Sequence, residues 1–312
     1  MTQLFPNPTA RMAYDGLVLL QQDGPVGQVY AFPNTSVRFN KGENNAYPAS
    51  IDANAIMHMK ALGVKMGALS MSFNLQIDRR IDTFLTAGFG PRTNGQLTPW
   101  VMNIIPYNGA TPVKATGVWF SDFGMSGRYG TRGDDQLITC NLSAMVMDPD
   151  NFYGAGTLTA PATAATAGLG LSSFSQMGFN DGQASGAVYD AVRSFGFSLS
   201  NGLRPQPSML NAANRIGAGC VPSMIRGGLS ILQIDGATTA TPQAAGKYPY
   251  QLTLPSGDGT KTLKIDASVS YDANGKSLLP EDFTNSGINY TLFSTSAGAT
   301  ATAVWPFTTT YV

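Results

Sequence analysis

The fold of this chain turns on Ala68-Leu69-Ser70-Met71-Ser72-Phe73-Asn74-Leu75-Gln76-Ile77. Leu69, Met71, Phe73, Leu75 and Ile77 alternate with Ser70, Ser72, Asn74 and Gln76, which puts the apolar side chains on one face and the polar ones on the other. A period of two over ten residues belongs to a strand buried on one side only. The same alternation recurs at Ile138, Cys140, Leu142, Ala144 and Val146, at Phe195, Phe197 and Leu199, and at Leu263, Ile265, Ala267, Val269 and Tyr271. Half-buried strands of this kind form antiparallel sheets. Between them stand pairs that readily supply positive φ: Asn94-Gly95, Asn108-Gly109, Asn201-Gly202, Asp258-Gly259 and Asn274-Gly275. Such pairs mark hairpin turns, and their spacing predicts an antiparallel β-sandwich or barrel.

One helix follows directly on the deciding strand. Asp78 is placed to cap it, Ile81, Phe84 and Leu85 give an i, i+3, i+4 stripe, and Gly88 is placed to end it. A second helix is predicted over 52–62, where Ile56 and Met59 share a side before Gly63, although Asn54 and the neighbouring alanines weaken its stripe.

Composition supports a chain poor in helix. Of 312 residues, 38 are charged, where ordinary usage gives roughly 78. Only two glutamates, Glu43 and Glu281, and eight lysines are present, so the best solvent-facing helix formers are scarce. Gly and Pro number 54 against roughly 37 in an average chain, which points to many turns. Equal numbers of basic and acidic residues, 19 each, argue against a nonspecific nucleic-acid binder, which needs excess positive charge to displace phosphate counterions. Leu17 to Leu20, the longest apolar run near the N-terminus, is too short for a membrane span or a signal core, so a soluble protein made in the cytosol is expected.

The chain divides into an N-terminal β half at 1–150, a loop-rich linker or insertion at 151–190, and a C-terminal β half at 191–312. The dividing stretch from Gly154 to Ser173 carries neither charge nor aromatic side chain, and 236–246 is similar. A short echo between Phe123-Gly124-Met125-Ser126 and Phe195-Gly196-Phe197-Ser198 leaves open that the halves are duplicates.

Searching for chemistry yields no catalytic, cofactor-binding or metal-binding residue. His58 is the only histidine, which excludes sites built from two or three histidines. Cys140 and Cys220 are isolated and read as small core residues. Asp134-Asp135, Asp148-Pro149-Asp150 and Asp181-Gly182 lack the spacing of a calcium loop and read as turns. Gly124, Gly127, Gly130 and Gly133 recur every three residues around Arg128 and Arg132, but without the Lys-Ser/Thr and helix of a phosphate cradle. They are expected to form a hairpin tip carrying two arginines. Arg132-Gly133-Asp134 and the triplets opened by Asn34, Asn141 and Asn289 read as chance matches.

The order of segments resembles the tail tube (major tail) proteins of long-tailed bacteriophages. The resemblance is carried by Ala68-Leu69-Ser70-Met71-Ser72-Phe73 leading to the helical stretch at 80–90, and by the strand pair at 120–125 and 137–147 about Gly133-Asp134-Asp135. It continues in Val192 to Leu203, answered by Val221-Pro222-Ser223-Met224-Ile225-Arg226-Gly227-Gly228-Leu229-Ser230-Ile231. The strands Tyr250 to Pro255, Leu263 to Tyr271 and Ile288 to Phe293 complete it, so it touches most of 65–295. It implies a tube-type β-sandwich or barrel with one short flanking helix and long loops, free of catalytic residues and cofactors. It further implies self-assembly into stacked rings around a channel for DNA, within a virion tail. The implied partners are other copies of the chain, the tape measure, tail tip and tail terminator proteins, and genomic DNA passing without sequence-specific binding, with no membrane. A chain about twice as long as the shortest members supplies either one decorated tube domain in a six-chain ring or two tube-like halves in a three-chain ring. On this reading, 2–15 and 299–312, with Phe5, Tyr14, Trp305, Phe307 and Tyr311, are expected to add contacts between rings. Two competing readings are a capsid decoration or other virion β-sandwich protein, and a β-sandwich carbohydrate-binding protein or hydrolase using aspartates and Trp100, Trp119 or Trp305.

Overall fold

The computed structural model describes residues 17–22, 29–33, 35–43, 65–77, 81–90, 97–105, 113–132, 136–148, 171–180, 192–205, 220–222, 226–234, 247–277, 285–292 and 307–311. The strands are β1 (Leu17–Gln22), β2 (Val29–Pro33), β3 (Ser36–Glu43), β4 (Lys65–Asn74), β5 (Trp100–Ile105), β6 (Val113–Arg128), β7 (Thr139–Asp148) and β8 (Gly178–Asn180). They continue with β9 (Val192–Ser200), β10 (Leu203–Pro205), β11 (Cys220–Pro222), β12 (Arg226–Ile234), β13 (Lys247–Pro255), β14 (Thr262–Ser277), β15 (Asn285–Leu292) and β16 (Phe307–Tyr311). One α-helix, α1 (Ile81–Phe89), lies among the described residues.

All the strand pairs are antiparallel, as the alternation requires. Fourteen strands join in one sheet whose path runs β2-β1-β5-β6-β9-β12-β15-β14-β13-β8, with β7, β4 and β3 continuing from the other side of β6 and β16 alongside β14. The path is open, which corrects the barrel alternative: the sheet folds over itself as a sandwich instead of closing. Two wings do the folding. Phe32 of β2 meets Phe73 of β4 at 4.8 Å between ring centroids, and Tyr250 of β13 meets Tyr290 of β15 at 5.8 Å. The β6–β9 pairing carries the sheet from the first 150 residues into those after 190, and one apolar core runs through both.

α1 plugs the first wing. Ile81, Phe84, Leu85, Gly88 and Phe89 form its buried stripe, and the Phe84 ring stands edge-on to Tyr30, Phe32, Trp100 and Phe120 at 5.2–5.6 Å. Each such aromatic pair adds roughly 0.5–1.5 kcal/mol beyond its burial. Gly88 does not end the helix, contrary to expectation. It lies inside the last turn because a Cβ there would come within 3.3 Å of the Phe120 ring, so the position is small for packing. The end comes at Gly90, whose amide donates to the Thr86 carbonyl.

The deciding strand appears as β4, with its alternation of burial running on past the strand to Leu75 and Ile77. Two of the turn pairs differ from expectation. Asn274-Gly275 lies inside β14, opposite Ile288 and Gly287 of β15; in a strand paired along its length, local turn preference yields to the ladder. Gly202 does take positive φ, at 53°, but it leads from β9 to β10, which pairs with β11 and not back onto β9. Asp258-Gly259 forms the expected hairpin tip between β13 and β14, with Gly259 at φ 74°. The glycine series around Arg128 is likewise no loop at its start, since Gly124 and Gly127 are strand residues of β6. The two halves of the Phe123/Phe195 echo turn out to be neighbours, with Gly124 opposite Ser198 and Ser126 opposite Gly196. The predicted helix over 52–62, the Asp78 cap, and the pairs Asn94-Gly95 and Asn108-Gly109 lie outside the described residues.

Candidate functional site

The strands β3, β4, β7, β6, β9, β12 and β15 lie side by side, and their registers align the side chains opposite the core into rows that cross the sheet. One row runs Ser36, Ser72, Asn141, Gly124, Ser198, Gly228, Thr291. The next runs Asn74, Thr139, Ser126, Gly196, Ser230, Asn289. Every member of both rows is Ser, Thr, Asn or Gly. The period of two produces this: Leu69, Leu142, Phe123, Phe197, Leu229 and Tyr290 face the core from the same strands, so the residues between them face out.

Glycines at the centre of the rows leave the surface recessed. An open depression of about 850 Å³ lies over Gly124, Ser198 and Gly228, and another of about 500 Å³ over Ser126, Gly196 and Ser230. Nothing lies within 4 Å of where a Gly124 Cβ would stand. The Ser198 and Ser230 hydroxyls donate across the strands to the Gly228 and Gly196 carbonyls at 3.5 and 3.4 Å, close to the outer limit for such contacts. Charge is sparse: among the described residues the outward positions carry Arg38, Arg128, Arg226 and Asp122, all exposed. The third row places two of these arginines at its ends and the aspartate between, as Arg38, Ser70, Ser143, Asp122, Ser200, Arg226.

Below this surface a buried asparagine ties three elements together. Asn201 Nδ2 donates to the Gly88 carbonyl of α1 at 3.0 Å and to the Phe120 carbonyl of β6 at 2.9 Å. Its own amide donates to Ser121 at 2.7 Å, the residue at which β6 bulges against β7. The sequence marks Asn201 only as half of a turn pair; its clamping role has no local signal.

The residues weighed for chemistry are scattered. Cys140 is buried in β7, where desolvation pushes its thiol far above the ordinary range and leaves it inert. Trp100 and Trp119 are buried, which removes them as sugar platforms. Arg128 ends β6 and Arg132 is exposed in the turn beyond. Glu43 and Cys220 sit in β3 and β11, and Asp148 ends β7. His58, Glu281, Asp134-Asp135, Asp150, Asp181-Gly182 and Trp305 lie outside the described residues. No group of three or more His, Cys, Asp or Glu residues among the described ones is placed to hold a metal ion, and no described helix is long and apolar enough to cross a membrane. A scan against protein-family models finds no match, and no curated protein matches the chain in sequence.

Proposed function

We propose that the chain is a structural subunit of a phage tail tube, whose copies close into rings and stack around a bore that conducts DNA. The observation that carries this reading is the pair of Ser, Thr, Asn and Gly rows on one sheet face, the longer continuous over seven strands, set against an opposite face whose buried residues are mainly apolar. A bore wall has to remain wetted and must not hold the phosphate backbone. Hydroxyl, amide and bare-backbone groups meet both demands, whereas a wall dense in Lys and Arg would retain DNA by counterion release. Four charges spread over the described part of the face are too few and too mixed in sign for that. The outer strand β3 and the stretch of β14 beyond Tyr271, each paired on one side among the described residues, also fit a subunit that continues its sheet into the next copy, as heterologous ring closure requires.

Negative-stain microscopy of the purified protein or of its parent particle tests the reading. Stacked rings with an open bore are expected. Persistent monodisperse monomers under assembly-promoting conditions, with no tube in the particle, would sink it. Glycan binding without self-assembly would instead favour a carbohydrate-binding sandwich.

A further inference from the structure

The strand order repeats itself. β3-β4-β7-β6-β5-β1 and β9-β12-β15-β14-β13-β8 are two runs of six neighbours. Ranked along the chain within each run, both read second, third, sixth, fifth, fourth, first. The irregularities coincide too. β6 slips against β7 between Phe120 and Asp122, and β14 slips against β15 between Tyr271 and Ala273.

Superposing the two slips makes Phe120 equivalent to Tyr271, and Val118, Gly124 and Ser126 equivalent to Val269, Gly275 and Ser277. Following the registers outward, Ala144 matches Tyr290, and Leu69 therefore matches Leu229. Gly67-Ala68-Leu69-Ser70-Met71 then falls on Gly227-Gly228-Leu229-Ser230-Ile231. One strand further, Ser36 and Phe39 fall on Ser194 and Phe197. Sequence identity thus appears where hydrogen-bond register alone places it.

The two runs are joined by one edge-to-edge contact, in which Asp122 to Arg128 of β6 pair with Ser194 to Ser200 of β9. The counterpart of that β6 segment is the end of β14, and the counterpart of β9 is β3. Among the described residues, β3 pairs only with β4, and β14 beyond Tyr271 pairs only with β15. Each of these strands presents a row of backbone groups on its other side.

We infer that the end of β14 in one copy pairs with β3 of the next copy, antiparallel and in the register of the β6–β9 contact. Gly124 opposite Ser198 and Ser126 opposite Gly196 translate into Gly275 opposite Asn40 and Ser277 opposite Arg38. Ala273 is then opposite Gly42. In this register Ser277 continues the row of Arg38, Ser70 and Ser143, and Gly275 meets Asn40, whose row goes on to Ala68 and Met145; a shift of one residue would turn the side chains to the opposite face. The inference rests on the tube reading, since it assigns the ring-closing surface of that assembly.

Cysteine cross-linking of the full chain tests it. Gly275→Cys with Asn40→Cys is expected to give disulfide-linked oligomers on mild oxidation, roughly tenfold more than Gly275→Cys with Lys41→Cys, whose one-residue slip turns the thiols to opposite faces. Gly124→Cys with Ser198→Cys, which pair within the chain, reports that the fold and thiol reactivity are intact. Single-cysteine variants set the background from Cys140 and Cys220. Rings seen by microscopy without the 275–40 cross-link would overturn this pairing and leave the tube reading standing. Absence of both rings and cross-link, with the internal control linked, would overturn both.

Discussion

Asn201 shows how much one side chain decides in this molecule. Its amide satisfies carbonyls of α1 and β6 in a fully buried site, so Asn201→Ala leaves polar groups without a partner where water does not reach. The expected loss is about 1–3 kcal/mol, read as a lower urea midpoint at unchanged slope; a change within experimental error would deny the clamp. The partners stand 113 and 81 residues away in sequence, which is why only the turn tendency of Asn201-Gly202 was legible. The β13–β14 tip is different, because its chemistry is local. Asp258 accepts hydrogen bonds from the Ser256 hydroxyl at 2.7 Å and from the Thr260 amide at 3.1 Å, and these hold its carboxyl below the ordinary carboxylate range, the Ser256 bond foremost. A lowered folded value means that the contribution is present above the unfolded pKa and is lost as pH falls through the folded one. The protection of the Thr260 amide, taken relative to the intrinsic exchange rate at each pH, should therefore persist from neutrality downward and be lost only in acid, below the range where free aspartate titrates. Asp258→Asn should remove that pH dependence.

At the level of elements, alternation was readable wherever one face of a strand meets water. β4, β7, β9 and the first part of β14 are such strands. β1 escapes the pattern because Val18, Leu19 and Leu20 are all buried in succession, and a strand covered on both faces carries no period of two. β14 runs to Ser277 through a turn-like Asn-Gly pair, which no local rule foresees. The outward Gly-Ser rows were likewise hidden, since each strand shows only its own two or three polar residues and the register that aligns them is a tertiary fact. Glycines within strands divide by what a side chain would meet. A Cβ at Gly227 would collide with the Leu292 side chain, whereas at Gly124 it would stand free. Gly227→Ala is expected to cost about 1–3 kcal/mol through overpacking, and Gly124→Ala about 0.5 kcal/mol or less, as at an open surface position. Equal effects in thermal or urea unfolding would refute this division.

For the whole molecule, two six-strand runs in one chain set the composition of the proposed ring. If each run fills one of six equivalent places, three chains complete the circle, and native mass spectrometry of single rings should return three copies of the 32.9 kDa chain. Six copies would mean that each chain occupies one place. The bore assignment has its own check. Lysines substituted together for Ser126, Ser198 and Ser230, all exposed, should leave ring formation intact while slowing DNA release from particles, because each ring would add cations beside the phosphates. Release at the parent rate would place this face elsewhere than the lumen. The scarcity of charge evident in the sequence accords with a protomer that lays much of its surface against its own copies.

The recess over Gly124, Ser198 and Gly228 has a mechanical consequence. Along that row the surface is main chain with the short side chains of Ser, Thr and Asn, and the long side chains Arg38, Arg128 and Arg226 stand in other rows. In a tube walled this way the aperture would be fixed by the hydrogen-bonded ladder and would barely respond to rotamer changes, so such a conduit could not throttle itself. A valve, wherever the particle keeps one, would have to be a separate plug.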